Sequence, residues 1–308
     1  MTEPSRQSLS VNGAELNVYH FAGPGSVEAG PDPAPMVMVH GMRDVALSLL
    51  PQAQAVARTR PVYLMDLRGH GRSAQPGGYA MPQFVFDLEQ VLTELVGRSA
   101  VLFGHSLGGH LVCRVAALFP TLVEAAIVVE GLGPPDGRQP EDPAEAMAME
   151  AERLKGTLSI PARQRPLPDL AFAAGRLLAN NPRLDPDRAL ELARHGTVTN
   201  AAGELNWAFD PRVQSVFIGS EGDSDRYWSL VRCPTLIVAG THAGDYWRRA
   251  MTADGDWSGD FAPGELEARV ASFPDAELAL FDGSGHMVHF DEPERLSAAT
   301  LDFLRRRL

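Results

Sequence analysis

The chain has 308 residues, of which 44% are hydrophobic and 21% are charged, and its formal net charge is −12. This length fits one large α/β domain with an insertion, or two small domains, and the composition is that of an ordinary globular protein. The acidic balance argues against nucleic acid or an anionic membrane as a partner, because both attract a basic face.

The first part of the chain predicts a hairpin followed by alternating strands and helices. Ser8–Val11 and Glu15–Phe21 read as strands joined by Asn12-Gly13, a strong turn signal. The Gly- and Pro-rich stretch Gly23–Pro35 predicts a surface loop, and Met36–Val39 is the next strand, ending at His40-Gly41. Three further elements are predicted in this half: a short helix at Pro51–Arg58, a strand at Val62–Leu67 and an amphipathic helix at Met81–Val96.

The most informative stretch is AVLFGHSLGG, which runs from Ala100 to Gly109. Its first four residues predict a buried strand, and apolar residues at helical spacing follow the glycines as far as Pro120. A G-x-S-x-G pattern between a strand and a helix is the context of a nucleophile elbow. A serine hydroxyl is a weak nucleophile, so Ser106 would need a nearby base and the positive end of a helix.

The strand and helix alternation continues to Val123–Val129, stops, and resumes near the end of the chain. It predicts βαβ units in a parallel sheet. Residues 133–232 are instead Pro-rich and then helical, as at Pro143–Lys155 and Asp187–His195, so we expect a helical cap or lid. Strands return at Thr235–Ala239 and Glu277–Phe281, before a last helix at Pro293–Arg307. The predicted organisation is therefore a core of residues 1–132 and 233–308, with a cap of residues 133–232.

Polar groups follow several of the predicted strands, at the edge where open α/β sheets bind ligands. After the third strand, a glycine lets the backbone N–H of Met42 face the cleft, where it and the N–H of Leu107 predict an oxyanion hole. After the last strand, His286 lies on a glycine-rich loop, and a histidine both accepts and donates protons near neutral pH. We prefer it to His289, which we expect to be structural or pocket-lining.

Four motifs in this order resemble the α/β-hydrolase superfamily over essentially the whole chain: strand-His-Gly, DLRGHGRS, GHSLGG and GSGHMVHFDEPE. The resemblance implies an α/β-hydrolase fold with a mostly parallel eight-stranded sheet, a helical cap and a Ser–acid–His triad that needs no cofactor. It places the nucleophile at Ser106, the base at His286 and the oxyanion donors at the amides of Met42 and Leu107. It gives no catalytic role to the DLRGHGRS loop.

The acid of the triad is where the sequence departs from the common pattern. The superfamily usually places an Asp after the penultimate strand, at a position that is Ala243 here. Asp245 lies nearby but would need a longer loop, and its alternative role is to cap the helix that begins at Tyr246. The rival is Glu130, which follows an apolar strand and is costly to place there without a partner. Either carboxylate would fix the tautomer of His286, and we favour Glu130.

The leading functional hypothesis is a serine hydrolase that cleaves a small or medium carboxylic ester. Haloalkane dehalogenases and epoxide hydrolases of this fold use an aspartate nucleophile, so Ser106 argues against both. Thioester, lactone and carbon–carbon bond hydrolysis stay open, as does cofactor-free haloperoxidase-like activity. A hypothesis of another class is a non-catalytic ligand-binding protein of the same fold. We expect the substrate to contact His40, Gly41 and Trp207.

The remaining histidines, cysteines and first residues give no indication of a metal site, a cofactor or a signal peptide. No histidine pairs with Cys, Asp or Glu at a convincing metal-ligand spacing, and we expect His105 to be buried beneath the elbow. Asp44 would cap the helix that follows it or face the pocket, and we favour the cap.

Cys113 and Cys233 are too few for a disulfide framework and are expected to be buried thiols. The first residues lack the pattern of a signal peptide, so we expect a cytoplasmic protein without a membrane partner.

Overall fold

A computed structural model of the chain describes residues 3–24, 32–136, 142–218, 224–250 and 257–308. Residues 25–31 of the predicted surface loop lie outside the described residues. The described residues form ten strands, β1 (Ser5–Val11), β2 (Ala14–Phe21), β3 (Met36–Val39), β4 (Val62–Met65), β5 (Ala100–His105), β6 (Val123–Val129), β7 (Thr197–Thr199), β8 (Leu205–Trp207), β9 (Thr235–Gly240) and β10 (Ala276–Phe281).

Eight of these strands form one sheet, in the order β1-β2-β4-β3-β5-β6-β9-β10. Strands β1 and β2 form the predicted antiparallel hairpin, and β2 runs antiparallel to β4. The remaining neighbours are parallel. The predicted α/β-hydrolase fold, with an eight-stranded and mostly parallel sheet, is confirmed.

Helices cover both faces of the sheet. They are α1 (Leu50–Val56), α2 (Met81–Gln90), α3 (Leu107–Leu118), α4 (Pro143–Leu158), α5 (Leu170–Asn180), α6 (Pro186–His195), α7 (Asp225–Trp228), α8 (Gly244–Ala250), α9 (Glu265–Ala271), α10 (Val288–Asp291) and α11 (Pro293–Arg307). Successive residues of β3 alternate between two apolar clusters, one packed against α2 and α3 and the other against α1 and α11. Because each strand of this kind is buried on both faces, its sequence is an unbroken apolar run.

Several predicted elements change at their ends. The predicted helix Met81–Val96 divides into α2 and one π-helical stretch, Val91–Val96, which ends at the left-handed Gly97. The predicted strand Val62–Leu67 ends at Met65, where the chain turns into the polar loop. The described residues contain no helix that is both long and apolar enough to cross a bilayer.

Between β6 and β9 the chain forms α4, α5, α6, α7 and an antiparallel hairpin of β7 and β8. This hairpin was not predicted, because its strands have three residues each and are not fully buried. Helices α5 and α6 share an apolar cluster with Phe290 of α10, so the insertion packs onto the core. A second contact joins the Gly71 N–H to the Ala208 carbonyl at 2.6 Å, beside the loop that follows β4.

Candidate active site

Ser106 lies at the sharp turn between β5 and α3, with backbone angles φ 51° and ψ −114°. Non-glycine residues rarely adopt this conformation, and it persists only where the surrounding structure enforces it. A side chain at Gly104 would overlap the carbonyl of Gly108, and one at Gly108 would overlap the carbonyl of Val39. The glycines of the motif therefore let the turn pack directly against the ends of the neighbouring strands.

The structure brings Ser106, His286 and Glu130 into one hydrogen-bonded chain. The Ser106 Oγ lies 3.1 Å from the His286 Nε2, and the His286 Nδ1 lies 3.0 Å from the Glu130 Oε2. A carboxylate accepts hydrogen bonds, so the Nδ1 carries the proton and the Nε2 is free to accept from the serine hydroxyl. The imidazole and the carboxylate are buried, which shields the pair from competing water.

Glu130 is held by its backbone and by its second carboxylate oxygen. It follows β6 in the left-handed region, with φ 52°, and its N–H donates to the Val238 carbonyl at 2.9 Å. Its Oε1 accepts the N–H of Gly240 at 2.6 Å. Both oxygens are thus satisfied, which is the arrangement that a buried carboxylate requires.

The structure does not bring Asp245 to His286. Its carboxylate pairs with Arg183, at 3.3 Å, and with Arg248. These guanidinium groups lower the pKa of Asp245 against the effect of burial. Asp245 also lies within the first turn of α8, which begins at Gly244, so its predicted role as the residue before the helix is wrong. As an alternative acid it is disfavoured, because the His286 Nδ1 is already bonded to Glu130.

The predicted oxyanion loop lies directly against the serine. A Cβ atom placed on Gly41 would lie 3.3 Å from the Ser106 Cβ, so glycine permits this close approach. Leu107 is the first residue of α3, where an N–H has no acceptor inside the helix. In the residues that the structure describes, the Met42 N–H has no backbone or side-chain acceptor either. Their joint role as oxyanion donors stays a prediction.

The predicted contact between the His40 side chain and substrate is wrong. The imidazole is fully buried, its Nδ1 donates to the Gly41 carbonyl at 2.7 Å, and its Nε2 accepts the N–H of Leu67 at 3.0 Å. Burial lowers the pKa of His40 to about 3 and keeps the ring neutral. His40 therefore ties the oxyanion loop to the loop that follows β4.

Asp66 and Arg68 of the DLRGHGRS loop, to which the resemblance gives no catalytic role, connect this loop to neighbouring segments. Asp66 accepts the N–H groups of Ala46 and Arg72, at 2.8 and 3.1 Å, and the amide of Asn17. Arg68 forms a buried ion pair with Asp87 of α2. Neither side chain is left free for a substrate.

Two aromatic residues beside His286 were missed by sequence reasoning. The Tyr246 ring stacks on the imidazole, with centroids 4.0 Å apart and planes at 9°, and the Trp247 ring meets it edge-on at 4.9 Å. Both lie on α8, and nothing in the local sequence indicates that α8 packs over a loop 40 residues further along the chain. The stack holds the imidazole plane and suits a ring that becomes positively charged during proton transfer.

Behind the serine lies a group of residues that offers metal-ligand atoms. Single donor atoms of Asp44, His105 and His289 lie within 4.8 Å of one another, a proximity that sequence spacing did not reveal. The Asp44 carboxylate accepts from the Val45 N–H and the Ser48 hydroxyl, and lies 3.3 Å from the His289 Nε2. The helical turn Ala46–Leu49 follows Val45 and has no side-chain capping hydrogen bond, so the favoured capping role of Asp44 is wrong. Its exposure to the substrate pocket, the other role considered, stays a prediction.

His105 is buried beneath the elbow, as expected. Its Nε2 donates to the backbone carbonyl of His286 at 3.0 Å, which anchors the loop that carries the base. Burial lowers the pKa of His105 well below the ordinary value, so the ring stays neutral.

A shallow cleft opens beside His286. Its walls come from the segment after α5, from α8 and from the loop after β10, and include Asn181, Arg183, Tyr246 and Met287. Trp207 does not line it. That side chain is half-buried in β8, packs on the apolar cluster of the insertion and stacks loosely on Phe209. Its contact with substrate stays a prediction.

A mostly parallel eight-stranded sheet with a nucleophilic residue at a strand-to-helix turn is typical of α/β hydrolases. A sequence model described as the alpha/beta hydrolase family matches residues 36–299, and the chain belongs to this family. The chain is 27% identical to epoxide hydrolase A of Mycobacterium tuberculosis, over 99% of this chain and 98% of that protein.

An esterase of the same bacterium is 29% identical over 77% of this chain and 72% of its own length. Among solved structures, the thioesterase domain from the curacin biosynthetic pathway superposes with a TM-score of 0.76 at 22% identity. That match covers 97% of this chain and all of the domain.

Proposed function

We propose that this chain is a serine hydrolase that cleaves small or medium carboxylic esters through an acyl-enzyme. The observation that carries the proposal is the chain of hydrogen bonds from the Ser106 Oγ through His286 to Glu130, with both distances close to 3 Å. Ser106 would attack the ester carbonyl while its proton passes to the His286 Nε2. The amides of Met42 and Leu107 would hold the oxyanion, and His286 would then protonate the leaving alcohol.

Deacylation would reuse the same groups. A water molecule would lose a proton to the His286 Nε2 and attack the acyl carbonyl, and His286 would return that proton to the Ser106 Oγ as the acid leaves. Glu130 would keep the imidazole in the required tautomer and stabilise its positive form in both halves of the cycle. The reaction needs no cofactor.

The identity of the nucleophile argues against the epoxide hydrolase chemistry of one relative. A carboxylate that opens an epoxide forms an ester, which water then cleaves. A serine that opened one would form an ether, which the same base and oxyanion donors cannot hydrolyse. Ser106 therefore favours acyl transfer over alkyl transfer, in line with the esterase among the relatives.

Turnover of p-nitrophenyl esters from acetate to decanoate tests the proposal. We expect hydrolysis of the esters with short and medium acyl chains. We expect Ser106→Ala to lower kcat by about 10⁴-fold or more. The exposed Ser272→Ala serves as the matched control and should retain full turnover. Hydrolysis that survives in Ser106→Ala would contradict the proposal.

A further inference from the structure

Three side chains behind the candidate catalytic groups converge on one small space. They are Asp44, His105 and His289, and one nitrogen or oxygen atom of each lies within 4.8 Å of the other two. The rings of the two histidines have their centroids 4.3 Å apart, and the Asp44 Oδ2 lies 3.3 Å from the His289 Nε2. Two ligand atoms of one tetrahedral zinc ion are about 3.4 Å apart, because each bond is about 2.1 Å long. Asp44 and His289 already have nearly this separation.

The His105 ring has one nitrogen available to a metal ion. Its Nε2 donates to the backbone carbonyl of His286 at 3.0 Å, so the proton of the neutral ring lies on that atom and the Nδ1 carries a lone pair. The Nδ1 is buried, and within the described part of the chain it has no hydrogen-bond partner. Metal-binding histidines commonly donate their other N–H to a carbonyl in this way.

The His289 ring is fully buried, and its Nε2 faces the Asp44 carboxylate. Its Nδ1 has no partner among the described residues either. Because a neutral imidazole carries its proton on either nitrogen, binding of a metal through the Nε2 needs only a shift of that proton to the Nδ1. Two unpartnered ring nitrogens in one buried cluster are unusual, since buried polar atoms are nearly always hydrogen-bonded.

The Asp44 carboxylate is held in a fixed orientation and is open to solvent. Its Oδ1 accepts the Val45 N–H at 2.8 Å, and its Oδ2 accepts the Ser48 hydroxyl at 2.7 Å. Hydrogen bonds of this kind orient the carboxylates that bind metals. The side chain is 11% exposed, whereas that of His289 is 0% exposed. A cation would therefore enter the cluster past Asp44.

The types of ligand atom indicate the class of metal. Two imidazole nitrogens and one carboxylate oxygen suit Zn²⁺ and its neighbours Ni²⁺ and Cu²⁺, whereas Mg²⁺ and Ca²⁺ prefer oxygen ligands. Three protein ligands leave a fourth position of a tetrahedral ion to water. The charge of Arg188, which donates to the Ser48 carbonyl at 3.3 Å, is offset by its ion pair with Glu191 at 3.1 Å.

We propose that Asp44, His105 and His289 bind one divalent transition metal ion, for which Zn²⁺ is the probe. The three ligands belong to the oxyanion loop, the elbow and the loop that carries the base. A bound ion would therefore link these three segments, and its binding energy would stabilise the folded chain. Metal binding at this cluster does not depend on ester hydrolysis.

Calorimetric titration of the whole chain with Zn²⁺ at pH 7, after dialysis against EDTA, tests the site. We expect one Zn²⁺ per chain. Asp44→Asn should raise the Kd by more than about 100-fold, because loss of an outer hydrogen-bond partner alone costs about 10- to 100-fold. The amide oxygen can still accept from Val45 and Ser48, so this variant should fold. If its urea unfolding is not cooperative, His289→Gln replaces it, with the same expected loss.

His195→Gln is the matched control. The His195 Nε2 lies 3.9 Å from the Glu191 Oε1, so this variant removes an imidazole beside a carboxylate on the surface of α6. It should leave the Kd for Zn²⁺ unchanged. A second readout uses Co²⁺, which should give the strong visible absorption of a four-coordinate ion in the unsubstituted chain and lose it in Asp44→Asn.

Zn²⁺ should also raise the urea midpoint of the unsubstituted chain, because an ion that binds only the folded state stabilises it, and should not raise that of Asp44→Asn. A chain that binds no Zn²⁺ would overturn the proposal. So would Zn²⁺ binding that Asp44→Asn leaves intact and His286→Gln abolishes, since the ion would then lie at the candidate catalytic base.

Discussion

At the scale of single residues, the site depends on where one buried carboxylate points. Ser106 and His286 follow from motifs whose glycines and strand positions the sequence displays. The choice between Glu130 and Asp245 does not follow from the sequence. Spacing along the chain does not indicate which carboxylate reaches the imidazole of His286, which lies more than 40 residues after both. In the structure, the left-handed backbone of Glu130 and its bond to the Gly240 N–H hold its carboxylate 3.0 Å from the His286 Nδ1.

Replacing each of the two carboxylates by the corresponding amide tests which of them bonds to His286. We predict that Glu130→Gln lowers kcat for p-nitrophenyl acetate by about 10³- to 10⁴-fold, because an amide at this position leaves His286 in the wrong tautomer and its positive form without a counter-charge. Asp245→Asn is the matched control and should change kcat by less than about threefold, since the Asp245 carboxylate pairs with Arg183 and Arg248 and not with His286 in the described residues. Steady-state kinetics decides the matter, and equal losses in both variants would contradict the assignment.

At the scale of elements, the turn from β5 to α3 tolerates no side chains at its glycines. We predict that Gly108→Ala destabilises the fold by about 1 to 3 kcal/mol and abolishes turnover, because the new methyl group would overlap the Val39 carbonyl and displace Ser106. Gly156→Ala is the matched control. Gly156 lies inside α4 with open space around its Cα, so alanine there should raise the stability by about 0.5 to 1 kcal/mol.

Urea unfolding of the two glycine variants, beside turnover on p-nitrophenyl acetate, gives both quantities. An active Gly108→Ala variant would show that the turn can relax, against the tight packing described above. A loss of stability in Gly156→Ala would show that α4 is not the regular, exposed helix that its contacts indicate.

The sequence predicted the elements of the sheet well and those of the insertion less well. Strands such as β3 and β5 are buried on both faces, so an unbroken apolar run in the sequence identifies them. The hairpin of β7 and β8 is short and incompletely buried, and its pairing across five residues leaves no apolar pattern. The stack of Tyr246 on His286 depends on how α8 and the loop after β10 pack, and no local sequence pattern indicates it.

At the scale of the whole molecule, the site joins the carboxyl ends of several parallel strands. Ser106 follows β5, Glu130 follows β6 and His286 follows β10, so that residues 180 positions apart share a hydrogen bond. The surrounding loops are fastened by buried histidines that stay neutral. Burial lowers the pKa of His40 and of His110 to about 3 and that of His70 to about 4.

Because these histidines are buried in the neutral form, we predict that the free energy of unfolding falls in acid. Their pKa is lower in the folded chain than in the unfolded chain, where it is near 6.5, so below that pH the unfolded state binds more protons. The free energy of unfolding should therefore fall as the pH drops from about 6.5 towards 4, by about 1.4 kcal/mol per pH unit for each neutral histidine. Urea unfolding at pH 7, 6 and 5 measures this slope.

A single variant isolates the effect of the histidines. His110→Gln should reduce the slope between pH 6 and 5 by about 1.4 kcal/mol per pH unit. The comparison with the unsubstituted chain cancels the contribution of Asp66 and Asp87, whose pKa burial raises and whose effect has the opposite sign. An unchanged slope in His110→Gln would contradict the neutral, buried state of this ring.

The most direct measurement of the central claim is covalent labelling with a fluorophosphonate, followed by peptide mass spectrometry. We predict one adduct, on Ser106, because His286 and Glu130 would activate that hydroxyl. We also predict labelling that is much slower in Glu130→Gln, unchanged in Asp245→Asn and absent in Ser106→Ala. A folded protein that is not labelled, or one labelled at another serine, would contradict this claim.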